Sequence, residues 1–348
     1  MEMHYDYGHP DLNKDRYDAI REYCRCEKIN EAYFRVSIKK PIDRCRIRSR
    51  ISNLFIIERS LRMKGSLKIL SIIAALSAFV SAIVGIFYSD NGAMRIADNI
   101  YGQQITLYGD GIYANNSILK VGTTKGTDIV IIAVSIALLA ILIINKNRKA
   151  CMPLQSGLLL IILYDTICLI MGVSFNRLFL LYVLQFASSL FALILSVYHL
   201  MNTEIYQEQI YKKHLICAGS FMLVSGCSVL IWLTFILPAV ITGQPLDGIG
   251  IYTTEPVYAI DLAIVLPSYV FCGVALLKKK KVGYRLAPVL LTFITGVGLC
   301  VISQTIYQKL LGIVLPDGQL FGLVGSFIVL GIFAAVLNIR LLKFAKRA

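Results

Sequence analysis

Gly109-Asp110-Gly111-Ile112-Tyr113 and Gly248-Ile249-Gly250-Ile251-Tyr252 are two copies of one pattern, Gly-x-Gly-Ile-Tyr. Each copy lies in a polar stretch just before a long apolar run. Each run is read as opening on an acid, Asp128 in the first case and Asp261 in the second. A pattern set twice before equivalent runs makes the chain a candidate tandem duplication.

The apolar runs fix the class. With 57% hydrophobic and 16% charged residues, the chain is too apolar for a water-soluble surface. Eight runs approach the roughly 20 residues that a bilayer core of about 30 Å asks of a helix. They fall at 67–88, 128–144, 154–173, 177–198, 215–241, 261–277, 285–306 and 320–342. The second and sixth are short, and Pro238 near the end of the fifth invites a kink. The expected fold is an all-α integral membrane protein of eight transmembrane helices.

Net charge is +14, and its distribution decides what that means. With the N-terminus inside, 30 of the 35 Lys and Arg fall on the cytoplasmic side; Arg95, Lys120, Lys125, Arg177 and Lys309 are the exceptions. Positive residues resist translocation, so the bias reports topology and contact with anionic headgroups. No nucleic-acid partner is implied. The expected location is the plasma (inner) membrane of a bacterium, with both termini cytoplasmic and the lipid bilayer as the partner.

Four correspondences recur in the same order. They are the Gly-x-Gly-Ile-Tyr stretches, the acids Asp128 and Asp261, the span-entry prolines Pro153 and Pro288, and a Leu-Phe-x-Leu pattern at Leu178 and Leu320. The halves are then 63–205 and 206–348. Each contains an even number of spans, so the expectation is two parallel four-helix repeats about an axis normal to the membrane. Both glycine–tyrosine stretches would meet on the outer face above a cavity between the halves.

Residues 1–62 differ from the rest: they are charged and carry the basic block Arg44-Cys45-Arg46-Ile47-Arg48-Ser49-Arg50. One reading is a cytoplasmic basic extension with a short amphipathic helix from Asp11 to about Lys28. The preferred reading is a translated leader, because Met63-Lys64-Gly65-Ser66-Leu67-Lys68 directly before a span resembles an ordinary membrane-protein start. The intact mass of protein made from its native gene separates the two. Cys24, Cys26, Cys45, His4 and His9 lack the C-x2-C spacing of a zinc site, and neither metal nor cofactor is expected. None of the nine cysteines falls in an expected external loop, so no disulfide framework follows.

The longest external loop, 89–127, should contain a small β-hairpin. In it Gln104-Ile105-Thr106-Leu107-Tyr108 alternates, Gly109-Asp110-Gly111 turns and Ile112-Tyr113 resumes. Asn115-Asn116-Ser117 matches a glycosylation sequon, without meaning in a bacterium.

Five residues are candidate ligand-binding positions: Tyr113, Asp128, Asp165, Tyr252 and Asp261. Asp128 and Asp261 read as ligands for a cation or amine, or as helix N-caps, and the cap is preferred. Tyr113 and Tyr252 read as pocket walls or as interfacial tyrosines. Asp165 lies mid-span, where an acid must face protein or water, as an ion relay or as a protonated interhelical partner. Gly157, Ile161, Cys168 and Gly172 share its helix face. The chain has no G-x-x-x-x-G-K-[ST], H-E-x-x-H or G-x-S-x-G, and no catalytic residue is assigned.

Three further groups of residues resemble a family of bacterial polytopic membrane proteins. They are Phe175 to Val183 with Ser189 to Ile194, Ile251 to Thr254 with Tyr258 to Leu262, and Gly283 to Pro288. The resemblance covers about 63–348. It implies an eight-span membrane protein but no particular activity, and its pattern has Tyr-Asn where this chain has Tyr164-Asp165.

The functional expectation is non-enzymatic transport or sensing of a small molecule or ion through an outward-facing cavity between the repeats. Sensing would need a membrane-protein partner. The alternative is a membrane-embedded enzyme acting on a lipid, which requires Asp128, Asp165 and Asp261 to converge.

Overall fold

The computed structural model describes residues 41–144, 151–203, 212–314 and 316–346. The amphipathic stretch 11–28, the Cys24/Cys26 group and the connector tyrosines Tyr206 and Tyr211 lie outside the described residues. The chain divides into two units, Met1–Lys64 and Gly65–Ala348. Apart from the start of the first helix, the features that follow belong to the second.

Eight helices are long and apolar enough to cross a membrane: Met63–Phe87, Ile118–Ile144, Met152–Gly172, Phe179–Asn202, His214–Thr242, Pro256–Leu277, Lys281–Leu310 and Leu320–Leu342. Among the described residues the helices are α1 (Pro41–Phe87), α2 (Ile118–Ile144), α3 (Met152–Gly172), α4 (Phe179–Asn202) and α5 (Lys212–Ser228). They continue with α6 (Leu233–Thr242), α7 (Pro256–Ile260), α8 (Leu266–Leu277), α9 (Lys281–Leu310) and α10 (Gly325–Lys346). Strands β1 (Arg95–Asp98) and β2 (Gln104–Leu107) form a two-stranded antiparallel sheet.

Side chains are distributed as lipid demands. Large apolar groups point outward, with Leu180 80% and Phe321 75% exposed, while Gln185 is fully enclosed. The hydroxyls of Ser71, Ser77, Ser156 and Thr166 return to the carbonyl four residues back, so each is satisfied inside its own helix. Ala74, Ala78 and Ala82 recur every fourth residue along the buried face of the first span. Small side chains let backbones approach where water supplies no driving force.

The third and seventh spans are the most enclosed and pack on each other; α3 also packs on α2 and α4, and α9 on α2, α8 and α10. Gly157 makes the α3–α9 contact possible, since a Cβ there would sit 2.4 Å from the Thr292 side chain. Polar links tie this bundle together. Ser81 donates to Gln185 at 3.0 Å, Gln185 donates to Thr166 at 2.7 Å, and Asn338 donates to Thr292 at 2.8 Å.

Two span starts differ from the sequence reading. The second span starts at Ile118 and the sixth at Pro256, so neither Asp128 nor Asp261 is an N-cap; each sits inside its span. Lys120 and Lys125 thus belong to a helix. The reason is Gly122-Thr123-Thr124-Lys125-Gly126, which reads as loop by composition and is a close-packing face. A Cβ on Gly126 would lie 2.5 Å from Gln304 Cα, and one on Gly122 2.8 Å from the Gln308 side chain. Gln304 and Gln308 on α9 donate to Thr127 and Thr123 at 2.7 and 3.0 Å.

The hairpin exists with a different turn. Gln104–Leu107 pairs with Arg95–Asp98, from Arg95 opposite Leu107 to Asp98 opposite Gln104. Asn99 makes the turn, its side-chain oxygen accepting the amides of Tyr101 and Gln103. Gly109-Asp110-Gly111 is a second, separate turn, closed by Gly109 N–H donating to Ala114 at 2.8 Å.

In the fifth span the irregular turn falls at Val229–Trp232, a 3₁₀ segment upstream of Pro238. The sixth span widens to a π-turn at Asp261–Val265. Pro267 lies just beyond it and cannot donate to the Ala263 carbonyl four residues back, which accounts for the widening.

Candidate functional site

The two glycine–tyrosine loops lie at the same end of the bundle, the second bonded to residues that flank the first, Asn99 and Asn116. Gly109 and Gly111 have φ of 84° and 66°, and Gly248 and Gly250 have 71° and 65°, so both copies share a left-handed backbone at both glycines. In the first copy no other residue fits, because a Cβ on Gly109 would meet the Ala93 carbonyl oxygen at 1.9 Å. Asp110 accepts Ser89 Oγ and Asp90 N, and Asp90 in return accepts Gly111 N, which pins the turn to the end of the first span. Asn99 Nδ2 then donates to the Gly250 carbonyl at 2.8 Å, and Tyr252 Oη to Asn116 Oδ1 at 2.9 Å. Asn116, in the sequon, is buried, also accepts the Ser174 amide and donates its Nδ2 to the Tyr113 carbonyl at 3.2 Å, so three connections meet on one side chain.

Beneath the first loop, Tyr113 Oη donates to Asp128 Oδ2 at 2.9 Å. Burial, and after it the neighbouring Asp128 charge, holds the Tyr113 phenol well above its ordinary range, so it acts as a donor. Gly85 on α1 leaves the room for this pair: a Cβ there would lie 2.3 Å from Asp128 Oδ2. Tyr113 and Asp128 are both about 1% exposed. They form a closed structural contact among the first span, its loop and α2.

Beneath the second loop the arrangement is different. Asp261 stands at the start of the π-turn, and its two oxygens are taken by Tyr164 Oη at 2.9 Å and Trp232 Nε1 at 2.8 Å. These donors come from the third and fifth spans, so one carboxylate joins both halves of the chain. The Trp232 ring stacks on Tyr258 at 4.7 Å between centroids and faces Phe327 at 6.3 Å.

These groups border a cavity of about 390 Å³, bounded by α2 and α3 from one half and by Trp232, α7, Asp261, α9 and Phe327 from the other. That volume is within the range of small-molecule sites. Asp165 lines it, 6% exposed, and its Oδ2 has no hydrogen-bond partner among the described residues. Glu255 also lines it, paired with Lys120 at 3.3 Å, and the Lys120 ammonium lies 5.3 Å from the Tyr252 ring centroid.

The cavity therefore gathers three of the five sequence candidates, Asp165, Tyr252 and Asp261. Tyr113 and Asp128 do not line it. Of the residues sharing the Asp165 helix face, Ile161 and Cys168 line the cavity, and Gly157 serves packing. Sequence reading missed Tyr164, Trp232, Lys120 and Glu255. Each carried a signal: the chain's only tryptophan, a tyrosine beside a mid-span acid, and charges at the ends of spans. Comparison with protein-family models, with curated proteins and with solved structures returns no match.

Proposed function

We propose that this chain is a bacterial inner-membrane protein that binds a small molecule in the cavity between its halves, for transport or sensing. One observation carries the reading: Asp165 lines a ligand-sized space, and one of its buried carboxylate oxygens has no hydrogen-bond partner among the described residues. Such a group is costly unless a ligand, a proton or water meets it. The lipid-enzyme alternative is less well supported, because Asp128 is outside the cavity and engaged by Tyr113.

Duplication is part of the proposal. Left-handed glycines in both loop copies and the face-to-face third and seventh spans support it. The charge bias supports both termini on the cytoplasmic side, with the loops and the cavity mouth facing outward. The resemblance over 63–348 supports a bacterial polytopic family.

Reconstitution into proteoliposomes tests the function. Uptake of a panel of small solutes is expected to depend on Asp165, with Asp165→Asn altering rate or gradient dependence. Absence of flux alongside a membrane protein recovered by crosslinking would move the reading to sensing. Absence of both would remove it.

A further inference from the structure

Resting on that binding-site reading, we infer the ligand class: an organic monocation, an ammonium on an apolar or aromatic body, with Asp165 as its counter-ion. The cavity's acids are not equivalent. Both Asp261 oxygens have donors, and Glu255 has Lys120. Asp165 alone among these lining acids has an oxygen without a partner among the described residues. In a low-dielectric wall an ionised carboxylate needs a cation or strong donors.

The walls fit the rest of such a ligand. Trp232, Tyr258 and Phe327 line the cavity as one stacked aromatic group, and Tyr164 and Phe293, also lining it, meet edge-on at 5.2 Å. Aromatic faces attract ammonium groups, and more strongly when water is excluded. The protein's own amine shows the same chemistry at the loop end, where Lys120 is held between the Glu255 carboxylate and the Tyr252 face.

A bare divalent metal fits less well. Calcium takes six to eight oxygen ligands and magnesium an octahedral set. Among the described residues no three His, Cys, Asp or Glu side chains group to hold a metal.

Trp232 is the only tryptophan in the chain and lines the cavity, so intrinsic fluorescence reads occupancy directly. The full chain in detergent micelles is titrated with benzyltrimethylammonium, phenethylammonium, phenylethanol and phenylacetate. Saturable responses to the two cations are expected, with the alcohol and the acid weaker by about tenfold or more. Asp165→Asn should weaken the cations by about tenfold and leave the alcohol unchanged. Phe327→Leu should weaken benzyltrimethylammonium several-fold, which keeps the test decisive if the Asp165 variant does not fold.

Repeating the titration with added phosphatidylethanolamine separates the sources of the ammonium. Competition assigns the site to a lipid headgroup, and its absence to a soluble amine. Equal binding of cation, alcohol and acid, or cation binding unchanged in Asp165→Asn, overturns the cation assignment but leaves a binding site. No saturable response to any of the four removes the cation assignment and the site together.

Discussion

Replacing Gly126 by Ala puts a methyl group where α2 crosses α9. The new Cβ would lie 2.5 Å from Gln304 Cα, 2.7 Å from Gln304 N and 2.9 Å from the Ser303 carbonyl carbon, all backbone atoms that no rotamer change can move. Restoring ordinary contact parts the helices by roughly 1 Å, and overpacking of this kind costs about 1–3 kcal/mol. Parting them also stretches the 2.7 Å bond from Gln304 to Thr127; membrane interhelical bonds average about 0.6 kcal/mol. Against this, Ala gains up to about 1 kcal/mol over Gly in helix propensity.

The net expectation is a loss of about 1–2 kcal/mol, read as a lower midpoint of thermal unfolding in detergent. Gly65→Ala is the control. It is also helical, yet nothing among the described residues lies within 4 Å of its added Cβ, so it should be neutral or slightly stabilising. Equal midpoints for Gly126→Ala and Gly65→Ala would refute the α2–α9 contact, and with it the wall that carries Thr123 and Thr127 beside the cavity.

Two tyrosine substitutions should separate the closed contact from the loop bridge. Tyr113→Phe leaves Asp128 Oδ2 buried without its donor and should lower stability by about 1–3 kcal/mol. Tyr252→Phe removes one of the bonds to Asn116, whose oxygen keeps the Ser174 amide, and should cost less than about 1 kcal/mol. Thermal midpoints check the order, and a larger loss for Tyr252→Phe would contradict it.

Eight spans were legible because lipid imposes length and apolarity on each one separately. The start of the second span was not, because Lys120, Lys125 and the threonines around them are polar in composition. What makes them helical is a partner 177 residues away, Gln304 against Thr127. Asp165 was legible as a site candidate, since an acid in the middle of an apolar run needs a reason. Asp128 looked equivalent to Asp261 because both follow a Gly-x-Gly-Ile-Tyr loop. Their surroundings part company in three dimensions: Tyr113 closes over one, while Tyr164 and Trp232 arrive at the other from separate spans. The hairpin turn was misplaced because Asn99 supplies it through side-chain hydrogen bonds, whereas the glycine pair, the stronger turn signal by composition, makes a second turn.

The central proposal is that the second glycine–tyrosine loop packs on residues flanking the first, and that both lie on the outer face above the cavity. Ser117→Cys paired with Ile251→Cys, in a chain whose native cysteines are replaced, tests it with a short membrane-impermeant thiol-reactive linker added to intact cells, since Ser117 Oγ would lie 3.6 Å from a Cβ on Gly250. A protease site engineered between residues 204 and 211 lets the halves separate on a denaturing gel after lysis and cleavage. Linker treatment is expected to keep the halves joined. Complete separation of the halves, or joining only after the cells are permeabilised, would contradict it.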